Sequence, residues 1–181
     1  MLRDSQKPID VRFFLLFIPV AYFSYLFHEF GHWSVGEILG NRMVYSLNNV
    51  WPQDGHYLRQ SHELYVSIGG PGFSVLQAVT ALLIIEKFGT LYAYPFAFIP
   101  MFNRFFSDLF GGFSNQDESR IAVLMGTGPY LVAIIVLVML VLIVTRCSSK
   151  LRIGAKNNGY IITVTTVCQL LVIGTYKLFN I

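Results

Sequence analysis

FFLLFIPVAYFSYLFHEFGH, residues 13–32, sets two histidines and a glutamate at the end of a run that carries no charge from Phe13 to Phe27. In an α-helix each residue turns about 100°, so His28 and His32 stand one above the other, able to present ring nitrogens to one metal ion, with Glu29 beside them. Ionisable groups inside a membrane segment are costly, and three within little more than a turn predict a functional site. A chance polar turn at a helix end is the competing explanation. The apolar pattern continues through Trp33, Val35, Ile38 and Leu39 to Gly40, a C-cap residue. That predicts a first helix of about 27 residues, long enough to span a bilayer with tilt. At about 1.5 Å per residue, His28 falls roughly 22 Å from its start, below one face of a core about 30 Å thick.

Two histidines four residues apart with an intervening glutamate follow the HExxH pattern of zinc metalloproteases. There the imidazoles hold Zn²⁺, and the carboxylate moves a proton from water to the leaving amine. His28 and His32 are therefore candidate metal ligands, and Glu29 the candidate catalytic base. Catalytic zinc takes three protein ligands and keeps one position open, so a third must come from elsewhere in the chain. Charge concentrates between Asn103 and Arg120, where Arg104, Asp108, Asn115, Asp117, Glu118 and Arg120 surround Gly111-Gly112. Asp117 is the leading candidate, with Asn115 and Arg120 near enough in sequence to orient a carboxylate or a substrate carbonyl. Asp108, Glu118 and His56 are the alternatives.

Hydrophobic residues make up 54% of the 181 and charged residues 13%, against roughly 25% charged in soluble domains. This composition predicts a single integral membrane domain over 1–181, multi-pass and in contact with the lipid bilayer. The net charge of +3 is scattered and gives no basis for a nucleic-acid partner. Cys147 and Cys168 lack CxxC spacing and are expected to be free thiols. Residues 1–12, with Arg3, Lys7 and Arg12, precede an apolar run in the manner of a secretory leader. No small-residue cleavage site follows, so the run is read as a span.

Further along, Met43 to Tyr57 alternates β-branched and aromatic residues with Asn48-Asn49 and Asp54-Gly55, which predicts a β-hairpin able to receive an extended peptide at its edge. An interfacial loop with an aromatic belt is the other reading. Leu64–Ile85 is a second span carrying Ile68-Gly69-Gly70-Pro71-Gly72-Phe73-Ser74. That run predicts either a break lining a cavity or a close helix–helix approach. Leu91–Phe106 is a short third segment with Pro95 and Pro100. Ile121–Val144 reads as a fourth span, continuous apart from Gly126, Gly128 and Pro129, and Tyr160–Leu178 as a fifth, with Arg146, Lys150, Arg152 and Lys156 between them. The predicted fold is an all-α polytopic membrane protein of about five hydrophobic segments with a small β-hairpin after the first helix. The metal-site core covers about 13–121, and accessory helices cover about 121–181.

HEFGH followed by Gly40-Asn41-Arg42-Met43-Val44 resembles the site-2 protease class of intramembrane zinc metalloproteases. Gly70-Pro71 resembles that class's Gly-Pro element, with Ser74 where an Asn is usual. Asp117-Glu118-Ser119-Arg120 resembles its Asp-Gly-Gly-Arg motif with both glycines replaced. The resemblance implies His28, His32 and Asp117 as Zn²⁺ ligands, Glu29 as base, and the transmembrane helix of a membrane protein as substrate. It also implies a metal site near the cytosolic face, whereas counting Arg and Lys over five spans weakly favours the opposite orientation; orientation stays open. A non-catalytic membrane scaffold or assembly factor derived from this fold is the alternative function. Bis-histidine haem is disfavoured, because His28 and His32 share one helix face.

Overall fold

Asp10 opens the first helix by accepting the Phe13 amide at 2.9 Å, which satisfies one of the donors a helix start leaves unpaired. The computed structural model describes residues 9–179, so Arg3 and Lys7 lie outside the described residues. α1 (Val11–Leu15) passes through Leu16 into α2 (Phe17–Ile38), together a rod of 28 residues. It ends where Gly40 predicts. Gly40 takes φ +83°, its amide bonds the Glu37 carbonyl at 2.9 Å, and the Asn41 amide bonds Gly36 at 3.0 Å, the paired bonds of a Schellman end.

The hairpin follows as β1 (Met43–Tyr45) and β2 (Val50–Pro52), antiparallel with Val44 opposite Trp51. Each strand is three residues long, too little to stand alone, and α2 supports it. The Asn41 side chain donates to Gly36 O at 3.1 Å and accepts from the Leu58 amide at 2.9 Å, clamping both ends of the hairpin to the helix end. Tyr45 Oη donates to Leu26 O at 2.6 Å.

α3 (Gln60–Phe88) runs unbroken for 29 residues through Gly69-Gly70-Pro71-Gly72. Of the two readings of that run, the break is overturned and the close approach holds. A Cβ on Gly31 would stand 2.4 Å from the Gly69 carbonyl oxygen, and one on Gly69 equally close to that of Gly31. The two backbones touch, and side chains are excluded there. The opposite happens in the expected fourth span, which is not continuous over 121–144. α5 (Asp117–Leu124) stops at Gly126, φ +68°, with Thr127 N–H on Ala122 O at 2.8 Å and Gly126 N–H on Val123 O at 3.0 Å. α6 (Leu131–Leu151) starts afresh after Pro129. A Cβ on Gly126 or Gly128 would meet nothing within 4 Å, so no neighbouring backbone uses their smallness and they act as breakers.

The third segment is a short helix, α4 (Tyr94–Phe106). Its Pro95, Ala97, Phe98, Ile99 and Phe102 are buried, and Phe17 meets Phe98 edge-on at 6.5 Å. Tyr94 Oη donates to Asn158 Oδ1 at 2.8 Å near the start of α7 (Ala155–Phe179), whereas Arg104, ten residues on, reaches Glu118 at the start of α5. α4 therefore carries the chain from one end of the bundle back to the other, inside the long helices. Four helical stretches, Val11–Ile38, Gln60–Phe88, Leu131–Leu151 and Ala155–Phe179, are long and apolar enough to cross a membrane. The result is the expected all-α membrane fold with its small sheet after the first helix. Cys147 and Cys168 are buried and free.

Because the Gly31–Gly69 contact is backbone on backbone, Gly31→Ala is overpacked and should lose about 1–3 kcal/mol of stability. Gly72→Ala, placed in open space on the same helix crossing, should lose none. Thermal unfolding of the purified protein in detergent measures both. Equal unfolding temperatures for the two variants would contradict the contact.

Candidate metal centre

The helical spacing of His28 and His32 delivers what it promises. Their Nε2 atoms are 3.2 Å apart, and Asp117 Oδ2 lies 3.1 Å from the first and 3.2 Å from the second. Among the described residues this is the one group of three metal-type donors whose atoms fall within 4.8 Å of each other. Tetrahedral zinc, with bonds of about 2.0–2.1 Å, holds its donors roughly 3.3 Å apart, so the triangle fits one face of such a site. Space for the rings comes from α3. A Cβ on Gly70 would stand 2.2 Å from His32 Nε2 and 2.6 Å from His28 Nε2, so only glycine is compatible with both imidazoles.

The opposite ring nitrogens are also engaged. His28 Nδ1 is 2.9 Å from Ser74 Oγ, and His32 Nδ1 is 2.6 Å from the Val66 carbonyl oxygen. A carbonyl only accepts, so His32 carries its proton on Nδ1 and turns the Nε2 lone pair into the triangle. Ser74 can play the same part for His28. Ser74 and the Val66 carbonyl were not singled out from sequence as ligand supports. Gly70 and Ser74, four apart on one helix face, were the available signal.

Asp117 begins α5, where an anionic side chain is favoured by the helix dipole. Of the alternatives, none joins the triangle. Glu118 is 1% exposed, with its two oxygens 3.1 and 3.0 Å from Arg104 Nη1. Asp108 is buried in a π-helical turn with Oδ1 unpartnered among the described residues. Burial, and then the Glu118 carboxylate, push its pKa up. His56 is exposed and bonds the Asp54 carbonyl at 2.9 Å. The Arg104 guanidinium, seen from sequence only as part of a charge cluster, also stands 3.9 Å from Asp117 Oδ2. Arg120 lies 3.9 Å from the other Asp117 oxygen but is half exposed, and Asn115 turns to the Gly111 carbonyl at 2.9 Å.

His28, Glu29, His32 and Asp117 all line one cavity of about 490 Å³. Glu29 is buried and makes no hydrogen bond or ion pair among the described residues, so its carboxylate is available to whatever enters. The hairpin loop closes another wall through Asn48, Asn49 and Val50. In the antiparallel register, the bonds of Ser46 with Asn49 and of Arg42 with Gln53 make 44 and 51 the next bonded pair. That leaves the Val50 backbone groups on the outer edge of β2. Comparison with protein-family models, curated proteins and solved structures finds no match to the chain.

The triangle assigns Asp117 over its neighbours. Asp117→Asn should empty the site, while Asp108→Asn and His56→Ala should leave stoichiometric metal in place. Ser74→Ala removes an outer partner and should weaken metal affinity about 10–100-fold. Elemental analysis and competition with a chelator measure all four.

Proposed function

We propose that the chain is a multi-pass intramembrane zinc metalloprotease of the site-2 protease class, which hydrolyses a peptide bond in or near the transmembrane segment of a membrane-protein substrate. The observation that carries this reading is the His28–His32–Asp117 triangle opening on the same cavity as Glu29. Charge balance supports a divalent cation. Arg104 is taken up mainly by Glu118, which leaves the Asp117 carboxylate facing two imidazoles, an arrangement a cation would stabilise in an apolar bundle.

His28, His32 and Asp117 would hold zinc, with Ser74 and Val66 O fixing the rings. When bound, zinc acts as a Lewis acid and makes water a competent nucleophile near neutral pH. Glu29 accepts a proton from the attacking water and returns it to the amide nitrogen as the C–N bond breaks, releasing an amine and a carboxylic acid. Arg104 stands 3.9 Å from Asp117 Oδ2 and through Glu118 ties α4 to the start of α5, where Asp117 sits. The free edge at Val50 offers backbone groups to an extended substrate segment lying across the cavity mouth. His28 and His32 sit on a helix long enough to cross a membrane, and the substrate would arrive laterally.

Glu29→Gln discriminates this reading from a scaffold or assembly role. It should bind zinc nearly as the wild type does while cleavage of the cellular substrate falls by about 10² or more, since general acid–base catalysis alone contributes about 10²–10⁴. Normal cellular function of Glu29→Gln with full zinc content would favour the scaffold.

A further inference from the structure

α7 reaches the metal cavity with an amide that nothing in the motif-bearing helices explains. Gln169 lies in an apolar helix and is 1% exposed. It lines the cavity together with Tyr25, which stands one turn before His28 on α2. Gln169 Nε2 donates to Tyr25 Oη at 2.5 Å. Gln169 Oε1 is buried and has no partner among the described residues. Polar side chains within membrane-crossing helices are retained for function, and a buried carbonyl is normally paired.

The chemistry of the pair follows from its one bond. Tyr25 Oη accepts from Gln169, so its own proton is directed elsewhere, and no other hydrogen bond of that hydroxyl occurs among the described residues. The pair thus presents one donor, the Tyr25 hydroxyl, and one acceptor, Gln169 Oε1. A peptide group has the complementary equipment, one C=O and one N–H. In a helix interior those groups are already paired, so the complement is an unwound, extended segment. Three residues separate Tyr25 from His28, a rise of about 4.5 Å along the helix, the length of one to two residues of extended chain.

We propose that Tyr25 and Gln169 form a backbone-binding subsite of the cavity. Gln169 Oε1 accepts a substrate N–H, and the Tyr25 hydroxyl donates to a substrate carbonyl within one or two residues of the bond placed at His28, His32 and Asp117. This rests on the protease reading for the peptide nature of the ligand. It adds the unwound backbone as the feature recognised, and α7 as the helix that recognises it.

The test uses zinc-loaded protein in detergent and two probes, acetohydroxamate, which needs only an accessible metal, and a capped dileucine hydroxamate, which also offers peptide groups. Gln169→Leu and Tyr25→Phe should bind acetohydroxamate within about twofold of wild type and the dileucine probe roughly tenfold more weakly, the scale of a lost hydrogen bond. A dileucine probe N-methylated at its amides should bind wild type and Gln169→Leu alike, because the interaction is already absent. Equal affinity of the unmethylated probe for wild type and Gln169→Leu overturns the subsite and leaves the metal reading standing. Loss of acetohydroxamate binding in Gln169→Leu also overturns it, since the residue would then be supporting the metal site itself. Failure of acetohydroxamate to bind the zinc-loaded wild type overturns the protease reading, and the subsite with it.

Discussion

The contact of α2 with α3 at Gly31 and Gly69 is the constraint on which the rest of the molecule depends. Two helices normally stand 8–10 Å apart, held off by their side chains. Here each glycine meets the other's carbonyl, and the closeness has chemical consequences. It brings Val66 O within 2.6 Å of His32 Nδ1 and Ser74 Oγ within 2.9 Å of His28 Nδ1. It also requires a void at Gly70, which the two imidazoles fill. A residue with a Cβ at position 31, 69 or 70 would separate the ring from its support or expel it. Packing and ligand orientation are thus one interaction described twice.

The second layer of organisation is electrostatic and comes from α4 and α5. Arg104 is buried between Glu118 and Asp117, at 3.0 and 3.9 Å. Removing a guanidinium from water costs several kcal/mol unless its charge is matched closely, so the pair with Glu118 adds little net stability. Its effect is geometric. The pair ties the end of α4 to the start of α5 and thereby fixes the position of Asp117, which has no covalent or strand connection to α2. A pairing that is neutral in energy can still determine where a ligand stands.

Much of this was legible in the sequence, for physical reasons that differ by element. The period of 3.6 residues makes His28 and His32 neighbours in any helix, so the pairing of their rings required no tertiary knowledge. Gly40 and the hairpin followed from turn chemistry. The two glycine–proline runs were ambiguous because composition does not say whether another backbone is near: Gly69-Gly70-Pro71 meets one and stays helical, whereas Gly126-Thr127-Gly128-Pro129 meets none and breaks. Asp117 could be ranked above Asp108 and Glu118 but not separated from them, since which of three nearby acids faces the histidines depends on how α4 turns at Ser107–Gly111. Ser74, Arg104 and Gln169 act through partners 46, 14 and 144 residues away, and no local pattern encodes such distances. Gln169 is the one amide side chain in the segment Tyr160–Leu178, among threonines that bond back to their own helix.

The shortness of α4 places its polar end inside the bundle. A helix of 13 residues is about 20 Å long, and a hydrocarbon core is about 30 Å thick. α4 is not among the four helices long and apolar enough to cross, and it packs inside them. Asn103, Arg104, Ser107 and Asp108 fall at its end around Phe105 and Phe106, and the first three line the same cavity as the histidines. Unpaired backbone and buried charge are tolerated at such depth only where protein or water surrounds them. The cavity of about 490 Å³ fits that requirement. The same short helix that brings Arg104 to Asp117 also lines the cavity onto which His28 and His32 open.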